Sequence, residues 1–211
     1  ISNLTDGTYY VFVLFFCSSE DVSTWKSVSF KTIASASAPW QEDFMTATST
    51  TGTYGWDNTD VYISGNRAGV VGIGASEYVI FKNLNENKTL AKFSTITVGP
   101  IDAADYEFSF NYKQTAYQAP YEPLAAWGFI TVEISTDFGA TWTLLETITD
   151  QAPTINYVHK KYNLAAYEGQ FVKFRITGNR TAGSFNLAFD VFKVAQAAAQ
   201  TPCNSVTTYT E

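Results

Sequence analysis

The stretch that decides the fold runs from residue 106 to residue 113 and reads YEFSFNYK. Every second residue in it is aromatic, and the residues between them are polar or charged. An alternation of period two gives a β-strand one apolar face and one polar face. We therefore expect this stretch to be a half-buried strand that lines a hydrophobic core.

Three later stretches repeat this alternation: residues 128–135, 171–176 and 185–194. Turn-forming Gly, Asn, Asp and Pro residues lie between them, with almost no helical pattern. Many strands without intervening helices predict an all-β fold, a jelly-roll β-sandwich. In 185–194, Asp190 would face outward. The residues expected to face inward are Ile130, Val132, Ile134, Val172, Phe174, Ile176, Leu187, Phe189 and Val191.

The composition supports this fold and excludes two classes of partner. Of the 211 residues, 45% are hydrophobic and 16% are aromatic, which is typical of strands and sufficient for a sizeable core. The net charge of −7 argues against nucleic acid and against anionic lipid surfaces, because both attract clustered Lys and Arg. No apolar run approaches the roughly 20 residues of a membrane helix, so we expect no membrane insertion.

Two stretches of small residues divide the chain. Residues 34–39 and 196–202 are rich in Ala and Ser or Gln and read as linkers. Residues 40–195, between them, have the size of one jelly-roll domain. Residues 1–33 and 203–211 then belong to flanking units.

The two flanks resemble parts of fibronectin type III modules. Residues 4–13 read LTDGTYYVFV and match the family's L-x-x-G-T-x-Y-x-x-x-V stretch, whose tyrosine packs in a tyrosine corner. Residues 17–25 and 28–32 resemble its last hairpin and closing strand, and residues 201–206 resemble the opening of a further module. Because three strands cannot bury both faces of a sandwich, we expect an incomplete, Ig-like segment at the N-terminus.

This resemblance also implies how the two cysteines pair. Cys17 and Cys203 would belong to different modules, and each would pair with a cysteine outside this chain. The residues alone leave two alternatives open, a direct Cys17–Cys203 bridge and two free thiols.

The middle of the chain carries five motifs in a fixed order. They are WQEDF at 40–44, GW at 55–56, ISTDFGATW at 134–142, YEGQFVKFR at 167–175 and LAFDV at 187–191. Together they resemble the cleaved-adhesin, or MAM-like, jelly-roll family of secreted bacterial surface proteins, which includes the haemagglutinin regions of gingipains. Phe189 departs from the family pattern, since an Asp is usual there.

The resemblance implies a non-catalytic adhesion or binding module in a large secreted or cell-surface bacterial protein. Its partners would be host or matrix protein or glycan, and neighbouring modules of the same polypeptide. A carbohydrate-binding module, or a spacer module of a secreted hydrolase, is the alternative. The single histidine, His159, precedes two lysines and reads as a solvated residue, so no hydrolytic triad is expected.

The resemblance further implies a structural calcium ion between the opening and closing strands. Glu42 and Asp190 occupy the matching positions, and Asp43 is a further candidate ligand. Calcium prefers carboxylate and carbonyl oxygens. The alternative is that these carboxylates are solvated or bonded locally.

The ISTDFGATW stretch is also an Asp-box, a motif found in sialidases. Physically it is a turn device, in which Asp137 accepts loop N–H groups, Gly139 permits positive φ, and Trp142 caps the core. It is therefore no evidence of sialidase activity.

Aromatic residues in two loops are the candidate ligand-binding residues. One loop spans residues 114–127 and the other residues 54–62. Exposed aromatic rings on a rigid scaffold stack on sugars. Alternatively, these rings cover the edges of the core. The candidates are Tyr117, Tyr121, Trp127 and Trp56.

Overall fold

The computed structural model describes residues 4–5, 8–14, 17–18, 21–22, 26–45, 56–57, 60–65, 70, 72–74, 78–149 and 156–198. Within them, no helix is long and apolar enough to cross a membrane. One short 3₁₀-helix spans Ala165–Tyr167. The strands are β1 Tyr9–Leu14, β2 Cys17–Ser18, β3 Asp21–Val22, β4 Lys26–Lys31, β5 Ser35–Ala36, β6 Trp40–Glu42, β7 Tyr62–Gly65, β8 Tyr78–Leu84, β9 Leu90–Ser94, β10 Thr97–Val98, β11 Tyr106–Ala116, β12 Gly128–Ser135, β13 Thr143–Thr149, β14 Val158–Asn163, β15 Lys173–Arg180 and β16 Phe185–Gln196.

Two antiparallel sheets form the body of the molecule. The larger sheet has the order β14-β11-β16-β8-β7, and β6 also pairs with β16. The smaller sheet has the order β13-β12-β15-β9. The sheets pack face to face, since Phe108 of β11 stacks on Phe174 of β15 with ring centroids 3.6 Å apart. This confirms the prediction of an all-β sandwich.

The core is built from the alternating residues that the sequence indicates. Tyr106, Phe108, Phe110 and Tyr112 of β11 are all buried, and the residues between them are partly exposed. The predicted inward residues of β12 and β15 are buried as well. Period two thus places the apolar face of each strand correctly.

β16 departs from the predicted alternation at one residue. Ser109 pairs with Lys193 and Asn111 with Asp190, so β16 has one residue more than β11 at this point. The extra residue is a β-bulge, and Val191 there has φ of +50°. After the bulge, Phe192 enters the core instead of the predicted Val191.

The predicted linker 34–39 contributes to the sandwich. Its strand β5 pairs in parallel with β10, and three of its alanines pack against the core. Small residues leave no periodic pattern, which explains why the sequence predicted a linker there. At the other predicted linker, Gln196 is the last residue of β16, and residues 199–202 lie outside the described ranges.

The N-terminal strands form their own small sheets. β1 pairs antiparallel with β4, and β2 with β3. Thr5 N donates a hydrogen bond of 2.7 Å to the hydroxyl of Tyr10. The assignment of residues 1–33 and 203–211 to fibronectin type III-like modules stays a prediction. The described residues omit 203–211 and therefore Cys203, so both alternatives for the cysteines remain predictions.

Gly128 marks the closest approach of β12 to β15. It has φ of +146°, and a Cβ there would lie 1.9 Å from the carbonyl oxygen of Asn179. Gly169 has φ of +77°, but a Cβ there would meet nothing within 4 Å. We expect Gly128→Ala to lower the free energy of unfolding by about 3 kcal/mol, and Gly169→Ala by about 1 kcal/mol. Urea unfolding of both variants measures the difference, and equal losses would contradict this close approach.

Candidate functional site

A cleft of about 340 Å³ lies along the outward side of β9 and β15. Three cationic side chains line it, Lys92, Lys173 and Arg175, together with the carboxylates of Asp57 and Asp60. The lysines and the arginine point outward because they alternate with buried core residues of the same strands. The alternation that builds the core thus also builds one wall of this cleft.

Asp57 closes the cleft along the edge of the smaller sheet. Its backbone exchanges two hydrogen bonds with Ser94 at the end of β9, with N···O distances of 2.8 and 3.0 Å. This bridge attaches the segment before β7 to the edge strand. The aspartates of that segment therefore face the cations of β9 and β15 across the cleft.

Arg175 is held rigidly on the cleft wall. Its Nε and Nη2 each donate a 2.6 Å hydrogen bond to the carboxylate of Glu133, which lies directly opposite on β12. The guanidinium carbon lies 4.4 Å from the centre of the Trp142 ring. Trp142 therefore packs on the outer face of the smaller sheet, and the prediction that it caps the core is wrong.

The Asp-box loop between β12 and β13 is fixed by a hydrogen-bond network. Asp137 accepts bonds from the hydroxyl of Ser135 (2.7 Å) and from the backbone N–H (2.8 Å) and hydroxyl (2.6 Å) of Thr141. These donors hold the pKa of Asp137 at about 2. Gly139 has φ of +96°. The turn role predicted for Asp137 and Gly139 is confirmed by these bonds and angles.

The same loop presents an aromatic ring at the cleft. Phe138 has φ of +62°, a left-handed conformation that is unusual for a large residue, and its side chain remains 47% exposed. Its ring centroid lies 6.3 Å from that of Phe171, which is also exposed. Strained, exposed residues cluster at ligand sites. Sequence reasoning missed Phe138, because it occupies a variable position of the Asp-box.

Lys173 is the most unusual charge in the cleft. It is half-buried, and burial lowers the pKa of its ammonium, while the charge of Asp57 raises it. Within the described residues, no hydrogen bond or ion pair engages its ammonium. A partly desolvated cation with free donors at a cleft wall can bind an acceptor from a ligand.

A second, wider groove of about 520 Å³ lies on the outward side of the larger sheet. Lys161, Lys193 and His159 line it, and Lys161 forms a 3.2 Å ion pair with Glu107. None of its described lining residues is aromatic. His159 is exposed, as the sequence predicts, and its Nδ1 lies 3.2 Å from Asn111 Oδ1.

The four predicted ligand-binding aromatics occupy different environments. Trp127 is only 2% exposed and packs against Phe185, so its ring is closed to any ligand. Trp56 is half-buried against core phenylalanines. For these two tryptophans, the alternative that they cover the core is correct. Tyr121 is half-buried, and Tyr117 is 58% exposed.

The predicted metal ligands lie where β6 meets β16. The two strands are antiparallel neighbours, and Glu42 pairs with Phe192, two residues beyond Asp190. Asp190 faces away from the core but is fully buried, and it accepts hydrogen bonds from Ile73 N (2.7 Å) and Val191 N (2.8 Å). Burial therefore acts on Asp190 even though its strand position is an outward one.

Negative charge is concentrated at the junction of β6 and β16. Burial raises the pKa of Asp190 to about 6, and the negative charges of Asp43 and Glu42 add to the shift. Burial likewise raises the pKa of Glu42. In the described part of the chain, no group of three or more His, Cys, Asp or Glu side chains is placed to hold a metal. One buried carboxylate and one half-buried carboxylate still fit a cation that takes its remaining oxygens from the backbone or water.

Asp137→Asn tests how far the Asp-box loop depends on one charge. Because the folded pKa is about 2, the carboxylate stabilises the fold above about pH 4, and this contribution is lost as the pH falls toward 2. We expect the variant to melt below the wild type at neutral pH, and the two to converge in acid. Calorimetry across this range measures the effect, with Glu86→Gln in the exposed β8–β9 turn as control. A constant difference at every pH would contradict the role of the charge.

No family model and no curated protein matches the sequence. Solved structures do match. The K1 cleaved adhesin domain of Lys-gingipain from Porphyromonas gingivalis W83 is 16% identical, with a TM-score of 0.50, over 76% of this chain and 99% of that domain. The K2 cleaved adhesin domain of Lys-gingipain is 15% identical, with a TM-score of 0.50, over 75% and 100%. This chain is therefore similar in fold to cleaved adhesin domains, as its sequence motifs predict.

Proposed function

We propose that this chain is a non-catalytic adhesion and binding module of a larger secreted or cell-surface bacterial protein. The cleft beside Lys173 and Phe138 is its ligand site. The observation that carries the proposal is the half-buried ammonium of Lys173, which has no hydrogen-bond partner in the described residues and lines the cleft. The charge of Asp57 acts on this ammonium without a hydrogen bond between the two groups, so the donors of Lys173 are left for a ligand.

The rigidity of the cleft supports a binding role. Glu133 fixes Arg175, Arg175 fixes Trp142, and the Asp137 network fixes Phe138. Side chains that are already ordered lose little entropy when a ligand arrives. The candidate partners are host or matrix protein and glycan.

Carbohydrate is the favoured ligand class, and one observation distinguishes it. The cleft combines donors at Lys92 and Lys173, acceptors at Asp57 and Asp60, and the exposed ring of Phe138. Sugar hydroxyls both donate and accept hydrogen bonds, and the C–H face of a sugar stacks on aromatic rings. A flat protein epitope needs no such mixture within one cleft.

We also propose a structural calcium ion beside Glu42 and Asp190. The support is the pair of carboxylates at the β6–β16 junction, one buried and one half-buried, whose negative charges a divalent cation would offset. Calcium takes about six to eight oxygens, so backbone carbonyls and water would complete the set. Asp43 contributes charge, although its two oxygens accept hydrogen bonds from Gln41 and Met45.

Melting temperature against pH tests the state of Asp190. Its raised pKa means that the folded chain holds a proton that the unfolded chain releases near pH 4, so stability falls as the pH rises from about 4 to about 6. We expect this fall in EDTA for the wild type and its absence for Asp190→Asn. Calorimetry measures both proteins.

Calcium should restore the stability that the chain loses when Asp190 is deprotonated. Above about pH 6, millimolar calcium should raise the melting temperature of the wild type and leave Asp190→Asn unchanged, because bound cation replaces the proton. A wild type that does not respond to calcium would contradict the metal proposal. A wild type whose stability does not fall with pH would contradict the buried charge itself.

Binding by the whole chain tests the proposed function. The chain is screened on glycan and matrix-protein arrays, with calcium and again with EDTA. Lys173→Gln and Phe138→Ala should each weaken any binding about tenfold, the effect of losing one charge-assisted hydrogen bond or one stacked ring. Lys193→Gln, in the groove of the other sheet, is the matched control. Binding that survives both cleft variants but is lost in Tyr117→Ala would move the site to the 114–127 loop.

A further inference from the structure

We infer that the cleft selects glycans that carry hexuronic acid, with sugar carboxylates bound by Lys173 at one end of the cleft and by Lys92 at the other. This inference rests on the proposed function and names the ligand class of the same cleft. Nothing in the sequence motifs points to it. It follows from how three kinds of side chain are arranged along β9 and β15.

The cations of the cleft form a row. Lys173 and Arg175 are alternate residues of β15, and Lys92 of β9 pairs with Thr177, the next outward position. The two ends lie four residue steps apart along β15, so the row is about 13 Å long. That length exceeds a single sugar ring, which suits a chain of linked sugars better than a free monosaccharide.

The two ends of this row carry the charges that no carboxylate of the described residues pairs through a hydrogen bond. Arg175, at its centre, already shares both hydrogen bonds of its fork with Glu133, so this pair is neutral. Within the described ranges, the ammonium groups of Lys92 and Lys173 have no hydrogen-bond or ion-pair partner. The half-buried Lys173 gains most from an anion, because its own hydration is already reduced.

The aspartates of the opposite wall define what else the ligand must carry. Asp57 and Asp60 are acceptors, so a ligand in contact with them has to present donors. Sugar hydroxyls supply such donors. An acidic side chain carries none, so an acidic peptide would have to supply them from its backbone, whereas a hexuronate carries hydroxyl donors on the same ring as its carboxylate. A sugar acid offers a carboxylate to the lysines and hydroxyl donors to the two aspartates at the same time.

Phe138 provides the third element. Its exposed ring lies at the cleft beside Gly139 and is held in a left-handed backbone conformation by the Asp137 network. The C–H face of a pyranose stacks on such a ring. Cations for the carboxylate, acceptors for the hydroxyls and an aromatic ring for the apolar face together fit a hexuronate residue.

Titration calorimetry of the whole chain with matched polymers tests the inference. Polygalacturonate, alginate and hyaluronan are each compared with their own carboxyl-reduced form, which keeps the backbone but replaces each carboxylate by a neutral CH₂OH. We expect at least one hexuronate polymer to bind, and its reduced form to bind about tenfold more weakly, the loss of one charge-assisted contact. Added NaCl should weaken the native polymer more than the reduced one.

Lys173→Gln connects the carboxylate to one side chain. This variant should lose most of the preference for the native polymer, because the half-buried cation that gains most from the carboxylate is gone and only Lys92 remains. Lys173→Arg, which keeps the charge, should retain the preference, and Lys193→Gln should behave as the wild type. Thermal melts confirm that each variant is folded.

The outcomes separate this inference from the function on which it rests. Reduced and native polymers that bind equally to the wild type would overturn the uronate inference and leave a binder of neutral glycan. Binding of polyglutamate but of no hexuronate polymer would overturn it in favour of an acidic protein ligand. If no hexuronate polymer binds while the array screen finds another ligand, the inference fails and the binding function stands. If neither the polymer titrations nor the array screen finds a ligand, the uronate inference and the proposed binding function both fail.

Discussion

Phe108 of β11 and Phe174 of β15 stack across the sandwich with their rings nearly parallel, and this contact fixes which face of each of the two strands is the inner one. Because successive side chains of a strand point to opposite faces, an inward Phe174 requires Lys173 and Arg175 to point outward. The same rule places Glu133 on the outside, opposite Arg175. The aromatic core and the charged cleft are therefore two faces of one arrangement, and neither can change register without the other.

Two carboxylates show how strongly the surroundings decide the behaviour of one chemical group. Asp137 receives three donors from its own loop, and its pKa falls to about 2. Asp190 is enclosed at a strand junction near two other acids, and its pKa rises to about 6. The first holds a turn that presents Phe138. The second concentrates negative charge between the opening and closing strands, where a cation would relieve it.

The sequence predicts the strands well, since aromatic residues at alternate positions in 106–113 have few alternatives to a half-buried strand. It does not reveal the bulge at Val191. Val191 and Phe192 are both apolar, so from the sequence either of them could be the next inward residue after Phe189. The alanines around β5 do not indicate a strand either, because small side chains pack without a periodic hydrophobic pattern.

The cleft could not be predicted for a different reason. Asp57, Lys92, Phe138 and Lys173 come from four separate segments, which the pairing of β9 with β15, the turn after β12 and the bridge from Asp57 to Ser94 bring together. Residue type alone also does not show which aromatic rings are exposed, since a tryptophan packs equally well in a core and on a surface. Trp127 and Trp56 lie in the core, whereas Phe138, which attracts no attention in the sequence, reaches solvent.

β16 has a consequence for how the chain reaches its folded state. Among the described strands it is the last to be synthesised, yet it lies in the middle of the larger sheet, with β11 on one side and β6 and β8 on the other. Until β16 has been made, no described strand joins the pair β11–β14 to the pair β7–β8. The pairings that β16 then forms span long stretches of sequence. A nascent chain therefore cannot complete the larger sheet until its late residues have been made, so closure of that sheet is a late step of folding.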